Sequence, residues 1–321
     1  MSVLVYVENW EGKFKKLSFE LVSYATSLAE MLGTTISALS IGQVSEAELS
    51  RLAGYGASMI INIPGEQYNT LDNQSFTNII SEVARKENAS VVILSNNNTG
   101  KALAPRVSVK LNAGLGAGVS KLPLSLDPFI VYKKTFSGNA FANLLIKSDI
   151  KVLTLAQNSF KLVEKPVPVV IDQVSVQQNP GKMIVKDVQK QTGKILLTDA
   201  EIVVSGGRGM KSPDNWGPLT EMADILGAAL ACSRPVSDEG WRSHEEHTGQ
   251  TGKVIAPNLY IAIGISGATQ HLAGVSGSKF IVAVNTDKDA PIFEAAQYGI
   301  IGDAQKVLPK LIEAFKEVKG K

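Results

Sequence analysis

EIVVSGGRG (201–209) is an apolar, largely β-branched run that stops on a glycine-rich turn. A strand buried on both faces reads as such a continuous apolar run, and the turn leaves no side chain to block the approach of a ligand. A helix pattern follows, with Leu219, Met222, Ala223 and Leu226 at helical spacing. The same unit then recurs. ALACS (229–233) ends at Ser233-Arg234-Pro235, and LYIAIG (259–264) runs into GISG and ATQHLAG. KFIVAVN (279–285) ends at Asn285 and Asp287, and YGIIGD (298–303) ends at Asp303. Strands alternating with helices predict a parallel sheet with helices on its faces.

The polar residues Arg208, Ser233, Arg234, Ser266, Asn285 and Asp303 all fall at or just after the carboxyl end of one of these strands. In an open parallel sheet those ends line one edge, where ligands bind. Glycine turns and helix N-termini present N–H groups to anions, and arginine forks onto phosphate. A late Asn and Asp can hydrogen-bond a ribose or a base. The set describes a site for a dinucleotide-sized ligand. The plainer reading is that loops of an α/β domain are polar in any case.

VVSGGRGMKS (203–212), SRPVSDEGW (233–241), TGQTGKVIAPNLYIAIGISGATQHLAG (248–274), FIVAVNTDKDAPIF (280–293) and YGIIGDAQKVLP (298–309) resemble the FAD-binding domain of the electron-transfer flavoprotein alpha subunit, bacterial type. The run GQTGKVIAPNLYIAIGISGATQHLAG is long and ordered, and so is far more specific than a lone glycine motif. TGKALAPRVSVKL (99–111) and FSGNA (136–140) resemble the N-terminal domain of that family more weakly, so the resemblance extends over nearly the whole chain.

The expected architecture is α/β with two domains, 1–190 and 191–321, each a mostly parallel sheet flanked by helices, the second Rossmann-like and FAD-binding. A chain of 321 residues suits two cores better than one. The formal net charge is +2 with Lys and Arg dispersed, which argues against a nucleic-acid footprint. One cysteine, Cys232, precludes an internal disulfide framework and fits a reducing compartment. It reads as a small buried hydrophobe, or as a thiol activated by Arg234. MSVLVYVENWEGK at the start reads as a strand and not as a targeting peptide, and no apolar run reaches membrane-spanning length. The expected location is the cytoplasm.

Upstream, strands are predicted at 2–8, 34–42, 58–64 and 90–96, with helices over Leu17 to Leu32, Glu46 to Ala53, Ser75 to Glu87 and Lys101 to Leu111. Gly33 is placed as a C-cap. GLGAGVSKLPL, FIVYKKTF, FANLLIK and KVLTLAQ, all after Leu111, read as added and partly antiparallel strands. A Pro- and Val-rich segment (163–174) leads to a domain boundary between about Ile184 and Thr198. SNNNTG (95–100) is a polar turn with an N-cap, or a nucleotide-holding loop.

Candidate chemistry is sparse. HEEH (244–247) invites a metal, but a closed zinc site needs four ligands and no second pair lies nearby; the other reading is a solvated loop. No G-x-S-x-G elbow, no base for Cys232 and no Walker motif occurs, so the residues point to chemistry carried by a bound cofactor. His271, taken alone, is a helix-face histidine that meets a carboxylate.

The resemblance implies specific roles. Arg208 would contact the pyrophosphate of FAD, and Ser233 and Arg234 would lie beside the flavin. Thr248, Gly249, Gln250 and Thr251 form the TGQT segment, whose Gln250 and Thr251 would reach the ribityl chain and the N5–O4 edge. Ser266, Gly267, Ala268, Thr269, Gln270 and His271 would wrap the ribityl-phosphate, with His271 on the pyrimidine end. Asn285 and Asp303 would hold the adenosine half. Thr248 stands where many members carry an apolar residue, and HEEH replaces a variable loop.

The same resemblance implies an AMP-bearing beta subunit as heterodimer partner. Flavin dehydrogenases such as the acyl-CoA dehydrogenases of fatty acid β-oxidation would be the donors, and a quinone oxidoreductase the acceptor. An electron-bifurcating, NADH-dependent form is the alternative within the family. A non-redox nucleotide-binding module and a hydrolase of adenylated substrates are alternatives outside it.

Overall fold

The computed structural model describes residues 1–138, 140–176, 185–187 and 195–320. The chain divides into two compact units, Met1–Thr135 with Ala140–Val188, and Phe136–Asn139 with Gln189–Lys321. The expected boundary stretch falls for the most part outside the described residues.

The first unit contains β1 (Ser2–Val7), β2 (Asn9–Trp10), β3 (Lys13–Phe14), β4 (Thr35–Ile41), β5 (Met59–Ile63), β6 (Ala89–Ser95), β7 (Gly114–Val119), β8 (Ser125–Leu126), β9 (Phe129–Thr135), β10 (Ala140–Leu145), β11 (Lys151–Leu155) and β12 (Val170–Gln173). Its helices are α1 (Lys16–Leu32), α2 (Glu46–Ser50), α3 (Asn73–Lys86) and α4 (Asn98–Leu111). The main sheet runs β10-β9-β7-β11-β6-β1-β4-β5-β12, with β8 beside β9. Its centre is parallel, and β8, β9 and β10 pair antiparallel. Val3, Val5 and Val7 of β1 face α1 and its Leu21 and Leu28, while Leu4 and Tyr6 face the side of α3 and α4. Gly33 ends α1 at φ 62°, the left-handed cap its position predicts.

Several boundaries differ from the sequence reading, for local reasons. Helix α4 starts at Asn98 and not at Lys101, because the Asn97 side chain caps it by accepting from the Gly100 amide at 2.9 Å. Asn98-Thr99-Gly100 is therefore the first helical turn. Gly100 is required there, since a Cβ would lie 1.6 Å from the Ser95 carbonyl oxygen. Asp72 likewise caps α3 and moves its start forward to Asn73. The helix expected over Glu46 to Ala53 divides into α2 and a 3₁₀ turn at Arg51–Gly54. The Pro- and Val-rich segment holds an unforeseen strand, β12, which pairs parallel with β5 at the sheet edge, where Pro is tolerated.

The second unit contains β13 (Ile202–Gly206), β14 (Ala229–Cys232), β15 (Leu259–Ile263), β16 (Phe280–Asn285) and β17 (Tyr298–Ile301), with α5 (Gly217–Leu226), α6 (Arg234–Asp238), α7 (Thr269–Val275), α8 (Ile292–Ala295) and α9 (Ala304–Lys319). All pairings are parallel, in the order β14-β13-β15-β16-β17. Counted along the chain this is 2-1-3-4-5, the doubly wound order of flavodoxin-like sheets, and not the 3-2-1-4-5-6 order of the Rossmann sheet.

Alternation along each strand supplies both faces. Val204, Ile261, Ile263 and Val284 meet Trp216, Leu219 and Met222 of the α5 side and Leu308 of α9. Val203, Tyr260, Ala262, Ile281 and Ala283 meet Ile255, Val275 and Ile292 opposite. Each such aliphatic side chain, fully buried, contributes roughly 1.5–3 kcal/mol. Strand β17 departs from the buried-strand expectation: Tyr298, Gly299, Ile300 and Ile301 are all exposed at the sheet edge. No helix among the described residues is long and apolar enough to cross a membrane.

Candidate functional site

In a 2-1-3-4-5 sheet the chain leaves strand 1 in one direction and strand 3 in the other, and the loops part to leave a crevice. Here the crevice opens between the carboxyl ends of β13 and β15. The two turns that flank it are bonded to each other, Gly207 N–H donating to the Ile263 carbonyl at 2.9 Å and Gly209 N–H to the Gly264 carbonyl at 3.0 Å. Their glycines are sterically required. A Cβ on Gly207 would lie 2.2 Å from the Gly264 carbonyl oxygen, and Gly264 itself has φ 64°. The neighbouring ends are joined in the same way: Ser233 N–H donates to the Gly206 carbonyl at 3.0 Å, and Gly264 N–H to the Val284 carbonyl at 2.8 Å. The floor of the crevice is therefore one hydrogen-bonded backbone surface spanning β14 to β16.

The TGQT segment lies on this floor. Thr248, fully buried, donates its N–H to the Cys232 carbonyl at 3.0 Å, which continues β14. Gln250 N–H donates to the Gln270 carbonyl at 2.8 Å, in the first turn of α7. The approach is so close that a Cβ on Gly274 would stand 2.4 Å from Gly249 Cα. Gly249 and Gly267 are buried backbone, whereas Gln250, Thr251, Ser266, Ala268, Thr269 and Gln270 are exposed. Ser266 accepts through its carbonyl from the Ile292 amide at 3.0 Å, and Asn285 Nδ2 donates to the Ile265 carbonyl at 2.9 Å. The structure thus brings Ser233, Thr248 to Thr251 and Ser266 to His271 together, with Asn285 fixing the β15 loop from the next strand.

The cations are more exposed. Arg234 lies 3.2 Å from Asp238, and Arg208 lies 3.9 Å from Glu239, with both guanidinium side chains about two-thirds exposed. Exposed pairs of this kind contribute about 0–1 kcal/mol and are readily exchanged for a ligand anion. Asp303 caps α9 by accepting from the Gln305 amide at 3.0 Å, and it also binds Lys211 Nζ at 2.7 Å. Those hydrogen bonds, Lys211 first, hold its carboxyl below the usual value.

His271 is buried, and among the described residues no carboxylate pairs with it, contrary to the expectation from its position alone. Its Nε2 lies 2.8 Å from the Tyr260 hydroxyl, and its Nδ1 is buried. Burial, and next the nearby His247, push its pKa down to about 4, against a smaller opposing contribution from the Thr248 backbone. The ring is neutral at physiological pH.

The HEEH stretch is only in part a solvated loop, with His244 and Glu245 exposed. Glu246 and His247 are buried. Arg242 grips Glu246 bidentately at 2.6 and 2.8 Å, and His244 Nδ1 pairs with Ser237 at 2.8 Å. No cluster of three or more metal-ligating residues occurs among the described residues. Cys232 is fully buried, and burial first, then Glu246, push its thiol up to about 12, so it is not an activated nucleophile. The charged groups that act on it are Glu246 and Arg242, not Arg234.

Sequence reading missed Tyr260, Ser205, Lys211 and the Arg242–Glu246 pair. Tyr260 had a signal: a phenol inside an aliphatic strand, LYIAI, must find a polar partner when buried.

Residues 3–179 match the family model described as electron transfer flavoprotein domain, and residues 196–276 match the electron transfer flavoprotein FAD-binding domain. Asn285 and Asp303 lie beyond the second match. The electron transfer flavoprotein subunit alpha of Bacillus subtilis is 33% identical over 322 residues, covering 98% of each chain. That of Megasphaera elsdenii is 34% identical over 328 residues, covering 99% of this chain and 97% of its own. Protein FixB of Clostridium saccharobutylicum is 32% identical over 323 residues, covering 98% of this chain and 96% of its own.

Proposed function

Because the chain belongs to the electron transfer flavoprotein family as an alpha subunit, we propose that it binds FAD in the crevice between β13 and β15 and works as the flavin-bearing half of a cytoplasmic heterodimer. Its partner is a beta subunit that carries AMP. Electrons arrive from flavin dehydrogenases, including acyl-CoA dehydrogenases, and leave to a quinone oxidoreductase.

The observation that carries this reading is the pair of mutually bonded glycine turns at the sheet's switch point, flanked by two exposed arginines. FAD is long and dianionic at its pyrophosphate, and the residues present fit it. Gly207 and Gly209 give close backbone approach, Arg208 supplies a cation at the turn, and α9 and Asp303 stand to one side. Gln250, Thr251, Ser266 and Gln270 present exposed polar groups for a polyhydroxyl chain. Bound FAD supplies the reversible uptake and release of electrons. The chain's residues bind it, orient it and set its electrostatics. Arg234 remains charged at any working pH and places a positive field beside Ser233. Neutral His271 adds no charge.

Purification of the heterodimer tests the reading. A yellow protein that releases FAD, identified by mass, is expected. A colourless heterodimer that takes up no FAD on reconstitution, while binding another nucleotide, would favour the non-redox module.

A further inference from the structure

The imidazole of His247 has no place in the roles assigned so far. It stands just before the TGQT segment, in the stretch that continues β14 past Cys232, and it is buried. The chain after it folds back into a closed turn. Gly249 N–H donates to the Lys253 carbonyl at 3.2 Å, Gly252 N–H to the Gly249 carbonyl at 3.1 Å, and Lys253 N–H to the His247 carbonyl at 2.9 Å. The ring packs against that turn. A Cβ on Gly252 would lie 2.8 Å from its Cγ and Nδ1, and a Cβ on Gly249 would lie 3.3 Å from its Nε2. The same Cβ on Gly249 would lie 3.4 Å from the Gln270 carbonyl oxygen, so the turn's backbone is held between the His247 ring and α7. The charged and titratable groups that act on the ring are Asp238 and Arg234 of α6, His244 of the 3₁₀ turn at His244–Glu246, and His271 of α7. Glu246, the residue before it, is gripped by Arg242. Burial, first, holds the ring's pKa below the usual 6.5; Asp238 opposes this, and Arg234 and His244 add to it. The ring is therefore neutral at pH 7 and above and gains its charge in acid.

We propose that His247 is a positioning residue for the redox step: its ring supports the TGQT turn, and it takes up a proton from solvent as the bound flavin takes up an electron. The proposal rests on the FAD reading. His247 lies behind a turn on the crevice floor, in a buried site where charges act on one another more strongly than in water. Negative charge added in the crevice favours the protonated ring. The electron comes from the donor, which is oxidised, and the proton comes from water; both leave when the electron passes on. By reciprocity, a protonated His247 favours reduced over oxidised flavin by the same factor. Arg234 supplies a field that does not change with pH, whereas His247 supplies one that appears only as the ring charges.

Redox titration of the heterodimer between about pH 5 and 8, for wild type and His247→Gln, tests this, with FAD content measured on each sample. Gln keeps a planar polar group against the turn but cannot titrate. The flavin's own protons give both proteins the same slope, so the difference between them isolates the ring. That difference should be smallest near pH 8. Toward pH 5 the wild-type potential should climb above that of the variant by about a tenfold preference for reduced flavin, or about 59 mV for one electron. A supporting role alone would offset the two potentials equally at every pH, so parallel profiles overturn the proposal. Should the variant not fold, the wild type decides. With histidine labelled in this chain alone, three rings are seen by NMR, and His244→Gln and His271→Gln assign two of them. The remaining ring, His247, should titrate about one unit higher in the reduced holoprotein than in the oxidised one, the same tenfold factor. Equal values in the two states overturn the proposal. A heterodimer that carries no FAD refutes the FAD reading and this proposal with it, whereas an FAD-loaded one with parallel profiles refutes this proposal alone.

Discussion

Lys211 Nζ lies 2.7 Å from the Asp303 carboxylate, tying the turn that follows β13 to the first turn of α9. Gln305 adds a second tie, its side chain donating to the Met210 carbonyl at 3.3 Å. Asp303 therefore serves two masters, the helix cap and Lys211, before any ligand. Asp303→Ala should weaken FAD binding more than Asp303→Asn, because Asn remains a good N-cap and keeps the turn in place. Neither should shift the reduction potential of bound FAD much. Equal losses in the two variants would assign the effect to charge and remove the cap from the account. The sign of the pH effect follows from the lowered carboxyl: its stabilisation is complete above the usual value of 3.8 and is lost as pH falls through the lower folded value.

Gly207→Ala should abolish FAD binding. The new Cβ would stand 2.2 Å from the Gly264 carbonyl oxygen, a backbone atom held by its own ladder, so the paired turns must separate. Overpacking of this kind costs about 1–3 kcal/mol. Gly227→Ala is the control. It meets nothing within 4 Å, but its φ is 63°, so it should cost roughly 1–2 kcal/mol in stability with the FAD stoichiometry unchanged. Thermal melts together with flavin absorbance separate the two outcomes.

Much of this was legible in the sequence, and the reason is local. Each strand of the second unit is a short apolar run that ends at a glycine or a polar residue, so the sequence alone puts Arg208, Ser233, Arg234, Ser266, Asn285 and Asp303 at one edge. What was not legible depends on distant partners. Lys211 and Asp303 are 92 residues apart. Strand β12 hides in a Pro-rich segment because its mate, β5, lies far upstream. The order 2-1-3-4-5 cannot be read from a βα rhythm that every doubly wound sheet shares. Arg242 and Glu246 stand at i, i+4 outside any α-helix, where the spacing predicts no pairing.

That pair predicts a contrast between two arginines. The Arg242–Glu246 pair is mostly buried, and Arg242→Ala takes a bidentate partner from a buried carboxylate, so it should destabilise the protein by about 2–4 kcal/mol. Arg234 is exposed and its bond to Asp238 contributes little, so Arg234→Ala should cost under about 1 kcal/mol in stability. It should instead lower the reduction potential of bound FAD by some tens of millivolts, since about 1.4 kcal/mol corresponds to about 59 mV for one electron. Denaturation curves and potentiometric titration of both variants read out the two effects. An unchanged potential in Arg234→Ala with FAD still bound would restrict Arg234 to holding its loop.

His271 predicts the acid limit of the second unit. Its pKa stands near 4 in the folded chain against 6.5 as the usual value, chiefly through burial. Between those values the unfolded chain binds a proton that the folded chain refuses. Stability is therefore complete above about pH 6.5 and falls as pH drops toward about 4. A shift of this size corresponds to at most about 3 kcal/mol, at about 1.4 kcal/mol per unit. The groups around the ring shape the rest of the curve. Tyr260 stays protonated throughout, with its pKa raised by burial. His247, also lowered by burial, contributes its own slope over the same range. Replacing His271 with Gln removes one titrating group and keeps a polar amide beside the Tyr260 hydroxyl. Urea denaturation of wild type and His271→Gln, at pH 7 and near pH 5, should show a smaller loss on acidification in the variant, with the remaining slope traceable to His247. Identical slopes in the two proteins would mean that the ring takes up its proton without resistance from the fold, and that its burial does not hold it neutral.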